Sequence, residues 1–256
     1  MFPLYDENRR KSLPFVTWTL IIINALVFWW ELNHGTMELQ ELFYNYGEIP
    51  ALVMQGKQLH TIITSMFLHA DLWHIVGNMV YLFVFGDNVE DRFGHTKFLF
   101  LYLAFGIVGG LTHSVVAVMF GGIDAIVPAI GASGAVSGIL AAYVLFFPNA
   151  RIISIVPSFY FIRIAPVPAW IFIGFWFILQ LLYSGTMTAV AYMAHIGGFI
   201  TGFVISTIFK ATTTSRPSVS TTWTTKPRAA DYCLYCGKPL PDNAVYCPIC
   251  GSRRSR

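Results

Sequence analysis

The sequence predicts an all-α polytopic membrane protein, a six-transmembrane-helix bundle followed by a small cysteine-bearing domain. Three observations carry this. Only 11% of the 256 residues are charged and 55% are hydrophobic, whereas soluble domains average about 25% charge. The apolar residues come in long blocks, as membrane spans require. The basic residues alternate from loop to loop, as topology rules require of a multi-span chain. The net charge of +3 is too small to argue for nucleic acid, and its distribution along the chain says more than its total.

Apolar blocks run at about 15–32, 72–87, 97–119, 131–147, 168–184 and 188–209. Each approaches the length that crosses about 30 Å of hydrocarbon at 1.5 Å per residue, the second and fourth being short. The first is expected to be retained as a span, because no small-residue cleavage site follows it. Arg9, Arg10 and Lys11 precede the first span, Arg92 and Lys97 separate the second and third, and Arg151 and Arg163 separate the fourth and fifth. Lys210, Arg216, Lys226 and Arg228 follow the sixth. The intervening loops hold Lys57 with Glu38, Glu41 and Glu48, then Asp124, then no charge at 185–187. Every other loop is therefore basic. The positive-inside rule then puts both termini in the cytoplasm, in a multi-pass protein of the cell membrane.

Two stretches are not simple spans. Residues 33–70 form a long connection with amphipathic character (Leu39, Leu42, Phe43, Tyr46, Ile49, Leu52 and Val53), suited to the outer interface. Residues 211–230 are rich in Thr, Ser and Pro without an apolar period, and read as a flexible linker. The expected organisation is thus a six-helix domain over 1–210, a linker over 211–230 and a terminal domain over 231–256.

Polar groups in a span are costly, so each needs a reason. The candidates are His74 and Asn78 in the second span, His113 in the third, Ser133 and Ser137 in the fourth and His195 in the sixth. Ser133 lies in Gly131-Ala132-Ser133-Gly134, where Pro128 and Gly131 end the loop and the fourth helix begins. Backbone N–H groups at a helix start lack intrahelical partners and sit at the positive end of the dipole, so an oxyanion beside Ser133 meets ready donors. Gly198 and Gly202 share a helical face with His195, and Gly134 and Gly138 form a second small-residue face on the fourth helix. Packing the two faces brings the imidazole to the hydroxyl, and a serine nucleophile needs such a base. The same pattern also suits two glycine-faced helices that pack for stability alone. His74 and Asn78, four apart, project from one face of the second helix and fit an oxyanion hole or an interhelical polar clamp. No acidic residue is expected at a useful depth inside a helix, so a Ser–His dyad is expected and not a full triad.

Taken together, H-x4-H-x3-N at His69, His74 and Asn78, G-x-S-G at Gly131 to Gly134, and H-x2-G-x3-G at His195, Gly198 and Gly202 resemble the rhomboid family of intramembrane serine proteases. The resemblance covers roughly 12–209, with the motifs on the second, fourth and sixth spans in the family's order. Glu90-Asp91-Arg92-Phe93-Gly94 looks like the family's E-x-R-x-G element, which is read as structural. The resemblance implies that Ser133 is the nucleophile and His195 the general base and acid. It implies that His74, Asn78 and the Ser133 backbone N–H hold the oxyanion. The implied partners are transmembrane protein substrates, reached from the surrounding membrane lipid. The chain departs from the family's pattern twice: His60-Thr61 stands where Trp-Arg is frequent, and Ser137 stands where an aromatic often packs on the catalytic His ring.

The four cysteines, Cys233-x2-Cys236 and Cys247-x2-Cys250 with Gly237 and Gly251 after the pairs, have the spacing of a tetrahedral zinc site. Two disulfides are the alternative, which a cytoplasmic location disfavours. The segment resembles a zinc ribbon, expected to fold on binding a structural zinc. No cofactor is expected for catalysis. The ribbon's partner is left open; the cationic Arg253, Arg254 and Arg256 would favour an anionic surface such as nucleic acid or lipid headgroups. Two functions from different classes follow: an active intramembrane endopeptidase, or a catalytically inactive rhomboid-like protein that binds transmembrane helices, which typically lacks the Ser–His pair. A small transporter would show inverted repeats or paired broken helices, and none is evident.

Overall fold

Each of the six apolar blocks contains a helix. The elements run β1 (Phe2–Asp6), α1 (Phe15–Glu31), α2 (Thr36–Tyr46), α3 (Pro50–Met54), α4 (Thr61–Thr64), α5 (Leu72–Phe93), α6 (His95–Phe120), α7 (Ser133–Phe146), β2 (Arg151–Pro157), β3 (Ile162–Pro168), α8 (Ala169–Tyr183) and α9 (Tyr192–Thr214). The computed structural model describes residues 1–8, 10–157, 162–184 and 190–214, with positions 233, 240, 246 and 252 beyond them. The chain divides into two units, Met1–Ala211 and Thr212–Arg256.

Among the described residues, α6 and α9 are long and apolar enough to cross a membrane alone, over His95–Phe120 and Tyr192–Thr213. α5 adds a third span when joined to Thr61–Phe67 across a bend of 93°. α1, α7 and α8 are shorter apolar helices. The amphipathic stretch after α1 forms α2, α3 and α4, of which α2 buries Leu42 and α3 buries Val53.

Local chemistry fixes where the helices start. The Asp71 carboxylate accepts the backbone N–H groups of Trp73 and His74 at 2.8 and 2.9 Å, a side-chain cap that begins α5. Pro14 offers α1 no side-chain cap. Glu90, at the far end of α5, takes that role from across the bundle. Its carboxylate accepts Val16 N–H at 3.0 Å and Thr17 N–H at 2.8 Å, together with the Thr17 hydroxyl at 2.7 Å. The E-x-R-x-G element therefore ties α5 to the first turn of α1, satisfying N–H groups that a helix start leaves orphaned.

Three acidic side chains reach the interior without entering the middle of a span: Glu90, Glu31 and Glu48 are at most 2% exposed. They stand at helix ends and turns, where backbone and hydroxyl donors meet the carboxylate, as Glu31 accepts the His69 N–H at 3.1 Å. One expectation is corrected: the fold is not purely helical, because β1, β2 and β3 form an antiparallel sheet in that order. Ile152, Ile153, Ile155 and Val156 supply β-branched residues suited to a strand, and Pro166 and Pro168 sit on an edge strand, where a missing N–H is tolerated. The pairing of β1 with β2 puts the N-terminal segment and the α7–α8 connection on the same side of the bundle.

α7 is the central helix, with every residue from Gly134 to Tyr143 buried. At its sheet end, Tyr143 packs edge-on against Phe85 at 4.9 Å. The Tyr143 hydroxyl donates to Asp6 and accepts from Asn8 Nδ2 at 2.8 Å, so β1 is latched to the core. Ser133 stands at the opposite end of α7.

Candidate active site

Ser133 is the first residue of α7, and Ala132 before it provides no side-chain cap. The first N–H groups of α7 thus face no competing cap. The loop leading in is pinned by backbone pairing. Glu48 and Ala129 exchange two hydrogen bonds at 3.0 and 2.8 Å, and Gly131 N–H donates to Ser65 O at 2.8 Å.

Glycines set the helix spacing. A Cβ on Gly198 would lie 2.0 Å from Gly134 O, and one on Gly202 would lie 2.2 Å from Gly138 O. A Cβ on Gly109 of α6 would lie 2.6 Å from Ala194 O. Three backbones therefore meet at glycines, in the small-residue packing that membrane helices use. The His195 side chain enters this junction, and its Nε2 stands 2.7 Å from Ser133 Oγ. The imidazole is 9% exposed.

His74 and Asn78 converge on the same place. Gly131 has φ +120°, a conformation that side chains rarely adopt. A Cβ there would stand 2.7 Å from His74 Nε2 and 3.7 Å from Asn78 Nδ2. Both nitrogens thus face the backbone two residues before Ser133. His74 Nδ1 accepts the Ala70 N–H at 3.4 Å, which leaves the proton of a neutral ring on Nε2, the side toward Gly131. Asn78 Nδ2 donates to His74 O at 3.1 Å and keeps a second hydrogen. His69 packs edge-on to His74 at 5.1 Å and is itself buried.

The sequence leaves open what holds the His195 ring, and Gln180 of α8 occupies that position. His195 Nδ1 lies 2.7 Å from Gln180 Oε1. The Trp176 and Tyr192 rings stand 6.0 and 6.1 Å from the imidazole, the first tilted and the second edge-on. Ser137 is fully buried and donates its hydroxyl to Ser133 O at 2.6 Å, turned away from the imidazole role. The signal for Gln180 was available: it is a polar residue inside the apolar run Phe177-Ile178-Leu179-Gln180-Leu181-Leu182.

A small cleft of about 30 Å³ opens beside Ser133, lined by Glu48, Met66, His113, Ser133, Gly134 and Ala194. His113, a candidate from sequence, therefore faces the cleft. Glu48 lies in the connection between α2 and α3 and accepts the Ser114 hydroxyl at 2.6 Å. Burial pushes its carboxyl up to about 7, against the opposing pull of the Ser114 hydrogen bond.

Of the cysteine set, Cys233 is described, and Cys236, Cys247 and Cys250 lie outside the described residues. Cys233 is buried, with Sγ 3.1 Å from Ser252 Oγ, so the start of the segment meets the residue two beyond the last cysteine. Four thiols at the C-x2-C spacing are a donor set that fits zinc. Among the described residues no group of three or more His, Cys, Asp or Glu side chains forms a metal cluster.

Residues 56–212 match the Rhomboid domain family, and residues 232–253 match a zinc-ribbon domain. The chain is 35% identical over 164 residues to RHOMBOID-like protein 12, mitochondrial, of Arabidopsis thaliana, covering 59% of this chain and 45% of that protein. It is 30% identical over 206 residues to Rhomboid protein 1, mitochondrial, of Saccharomyces cerevisiae, covering 77% and 53%. It is 28% identical over 209 residues to Rhomboid protease GluP of Bacillus subtilis, covering 78% and 37%. The chain thus spans between 37% and 53% of the length of these three relatives.

Proposed function

This chain belongs to the rhomboid family, and we propose that it works as an intramembrane serine endopeptidase, hydrolysing peptide bonds in or near transmembrane segments of membrane proteins. The observation that carries the reading is the 2.7 Å approach of His195 Nε2 to Ser133 Oγ. In this reading Ser133 Oγ attacks the scissile carbonyl while His195 takes its proton. The tetrahedral oxyanion is held by His74 Nε2, Asn78 Nδ2 and the Ser133 N–H. His195 then gives the proton to the leaving amine, and a water from the cleft releases the acyl group by the same steps. Relatives that carry the word protease in their names support the class of reaction.

All six apolar helices, α1 and α5 to α9, serve as spans in this proposal, with basic loops and both termini on the cytoplasmic side of the cell membrane. The sheet contact between β1 and β2 supports one side for the N-terminal segment and the α7–α8 connection. Ser133, at the other end of α7, then faces the outer side, where lipid-borne transmembrane substrates and water both reach it. The ribbon's Cys233, Cys236, Cys247 and Cys250 hold a structural zinc, which stabilises that small domain and takes no part in hydrolysis.

The test is covalent labelling. A fluorophosphonate probe labels the wild type in detergent, and Ser133→Ala is not labelled. Ser133→Ala and His195→Ala each cut cleavage of a model transmembrane substrate by about 10⁴-fold or more. Equal labelling of wild type and Ser133→Ala overturns the assignment. A wild type that binds transmembrane helices without labelling or cleavage identifies an inactive rhomboid-like binder instead.

A further inference from the structure

We infer that Gln180 is the positioning residue of the dyad, a neutral third member that fixes the tautomer and plane of His195; this rests on the protease reading above. The hydrogen bonds from Trp176 to Ser133 each leave one choice of donor and acceptor. Gln180 Nε2 stands 3.2 Å from Trp176 O on its own helix. A carbonyl only accepts, so the amide nitrogen must face it, and the amide oxygen must face away. That oxygen lies 2.7 Å from His195 Nδ1. Oε1 only accepts as well, so Nδ1 must carry the imidazole proton. Nε2 of a neutral ring is then the bare nitrogen, and it is the one 2.7 Å from Ser133 Oγ. The Trp176 carbonyl, Gln180, His195 and Ser133 thus form one relay of orientation, from α8 through α9 to α7.

Burial makes the relay specific. Gln180 is 8% exposed and His195 9%, so little water is available to replace the amide if it is removed. Without an acceptor at Nδ1, a buried N–H is left unsatisfied and the ring gains reason to adopt the other tautomer, which presents N–H to Ser133 and cannot act as a base. An amide orients the ring as a carboxylate would, yet avoids placing a charge among apolar helices. It stabilises the imidazolium less than a carboxylate, which defines a measurable difference between the two. The other histidines whose protonation would bear on His195 are His74 of α5 and His113 of α6. Both are present unchanged in every variant below.

The test compares Gln180→Leu and Gln180→Glu with wild type in the full-length chain, by cleavage of a model transmembrane substrate and by fluorophosphonate labelling. Gln180→Leu lowers both kcat and the labelling rate by about 100-fold with KM nearly unchanged, the effect of a displaced base. Gln180→Glu recovers most of that loss and moves the acidic limb of the pH–rate profile up by about one pH unit, since a carboxylate favours the imidazolium. A purely structural role for Gln180 moves the unfolding midpoint but not the acidic limb. Wild-type kcat and profile in Gln180→Leu overturn the inference. Should Gln180→Leu fail to fold, an unmoved acidic limb in Gln180→Glu overturns it equally. A wild type that neither cleaves nor labels sinks the protease reading and this role with it, whereas an active wild type beside an unaffected Gln180→Leu sinks the Gln180 role alone.

Discussion

Gly198 of α9 packs so closely on Gly134 of α7 that a Cβ added to it would stand 2.0 Å from the Gly134 carbonyl oxygen. The obstructing atom is backbone, so no rotamer change relieves the clash and the helices themselves must part. Gly198→Ala is expected to cost about 1–3 kcal/mol of stability, as overpacking does. It is expected to lower kcat by about 100-fold, because a displacement near 1 Å spoils a positioned base. Gly174→Ala in α8, where a Cβ meets nothing within 4 Å, serves as the control and leaves both unchanged. Thermal unfolding and cleavage kinetics of the two variants check this, and equal behaviour of the two refutes it.

Glu48 gives the fold a pH dependence of defined sign. Its folded pKa, about 7, lies above the ordinary value of 4.5 because burial penalises the carboxylate. A group raised on folding contributes stability that is complete below the unfolded pKa and is lost as pH rises through the folded one. The window is therefore about 4.5 to 7. Glu48→Gln keeps an acceptor for the Ser114 hydroxyl but cannot ionise. The unfolding midpoint of the wild type should fall relative to that of Glu48→Gln as pH is raised from 5 to 8. A difference between the two that is constant with pH counts against burial as the cause.

Most of the helical framework was legible, because hydropathy and glycine spacing act locally along the chain. Helix lengths, the Gly134/Gly138 face and the Gly198/Gly202 face follow from residues three and four apart. The sheet was not, since β1 and β2 are paired across the sequence from Phe2 to Ile155, and a search for long apolar blocks passes over short β-branched runs. The buried glutamates were hidden for a similar reason. Glu90 is tolerable inside only because Val16 and Thr17, 74 and 73 positions away, supply its donors. Gln180 was visible as a polar residue in an apolar run, but its partner His195 is reached through α8–α9 packing that no spacing rule encodes.

The cysteine tail makes a prediction separable from the membrane domain. Stripping metal with a chelator should release zinc and make 231–251 susceptible to protease, because so small a domain folds by binding its ion. Cleavage of a transmembrane substrate should continue at the wild-type rate. Metal content, limited proteolysis and activity measured on the same sample check this. A tail that stays resistant without metal argues against a structural zinc, and lost cleavage would reveal that the ribbon acts on the rhomboid domain.

The two donors of α5 should be separable from the dyad by kinetics. His74 Nε2 and Asn78 Nδ2 both face Gly131, and His74 is aligned by the Asp71 cap and by the Ala70 N–H on its other nitrogen. Donors aimed at an oxyanion act on a charge that exists only after attack, so their removal should leave substrate binding intact. His74→Ala and Asn78→Ala are each expected to lower kcat by about 10²-fold with KM nearly constant. His195→Ala should go further, since it removes the base that generates the nucleophile. Asp71→Ala should fall between wild type and His74→Ala, because it loosens the first turn of α5 without deleting a donor. Steady-state kinetics in one detergent or bilayer system settle the order, and a rise in KM with kcat unchanged in His74→Ala would mark the residue as a binding contact and not an oxyanion donor.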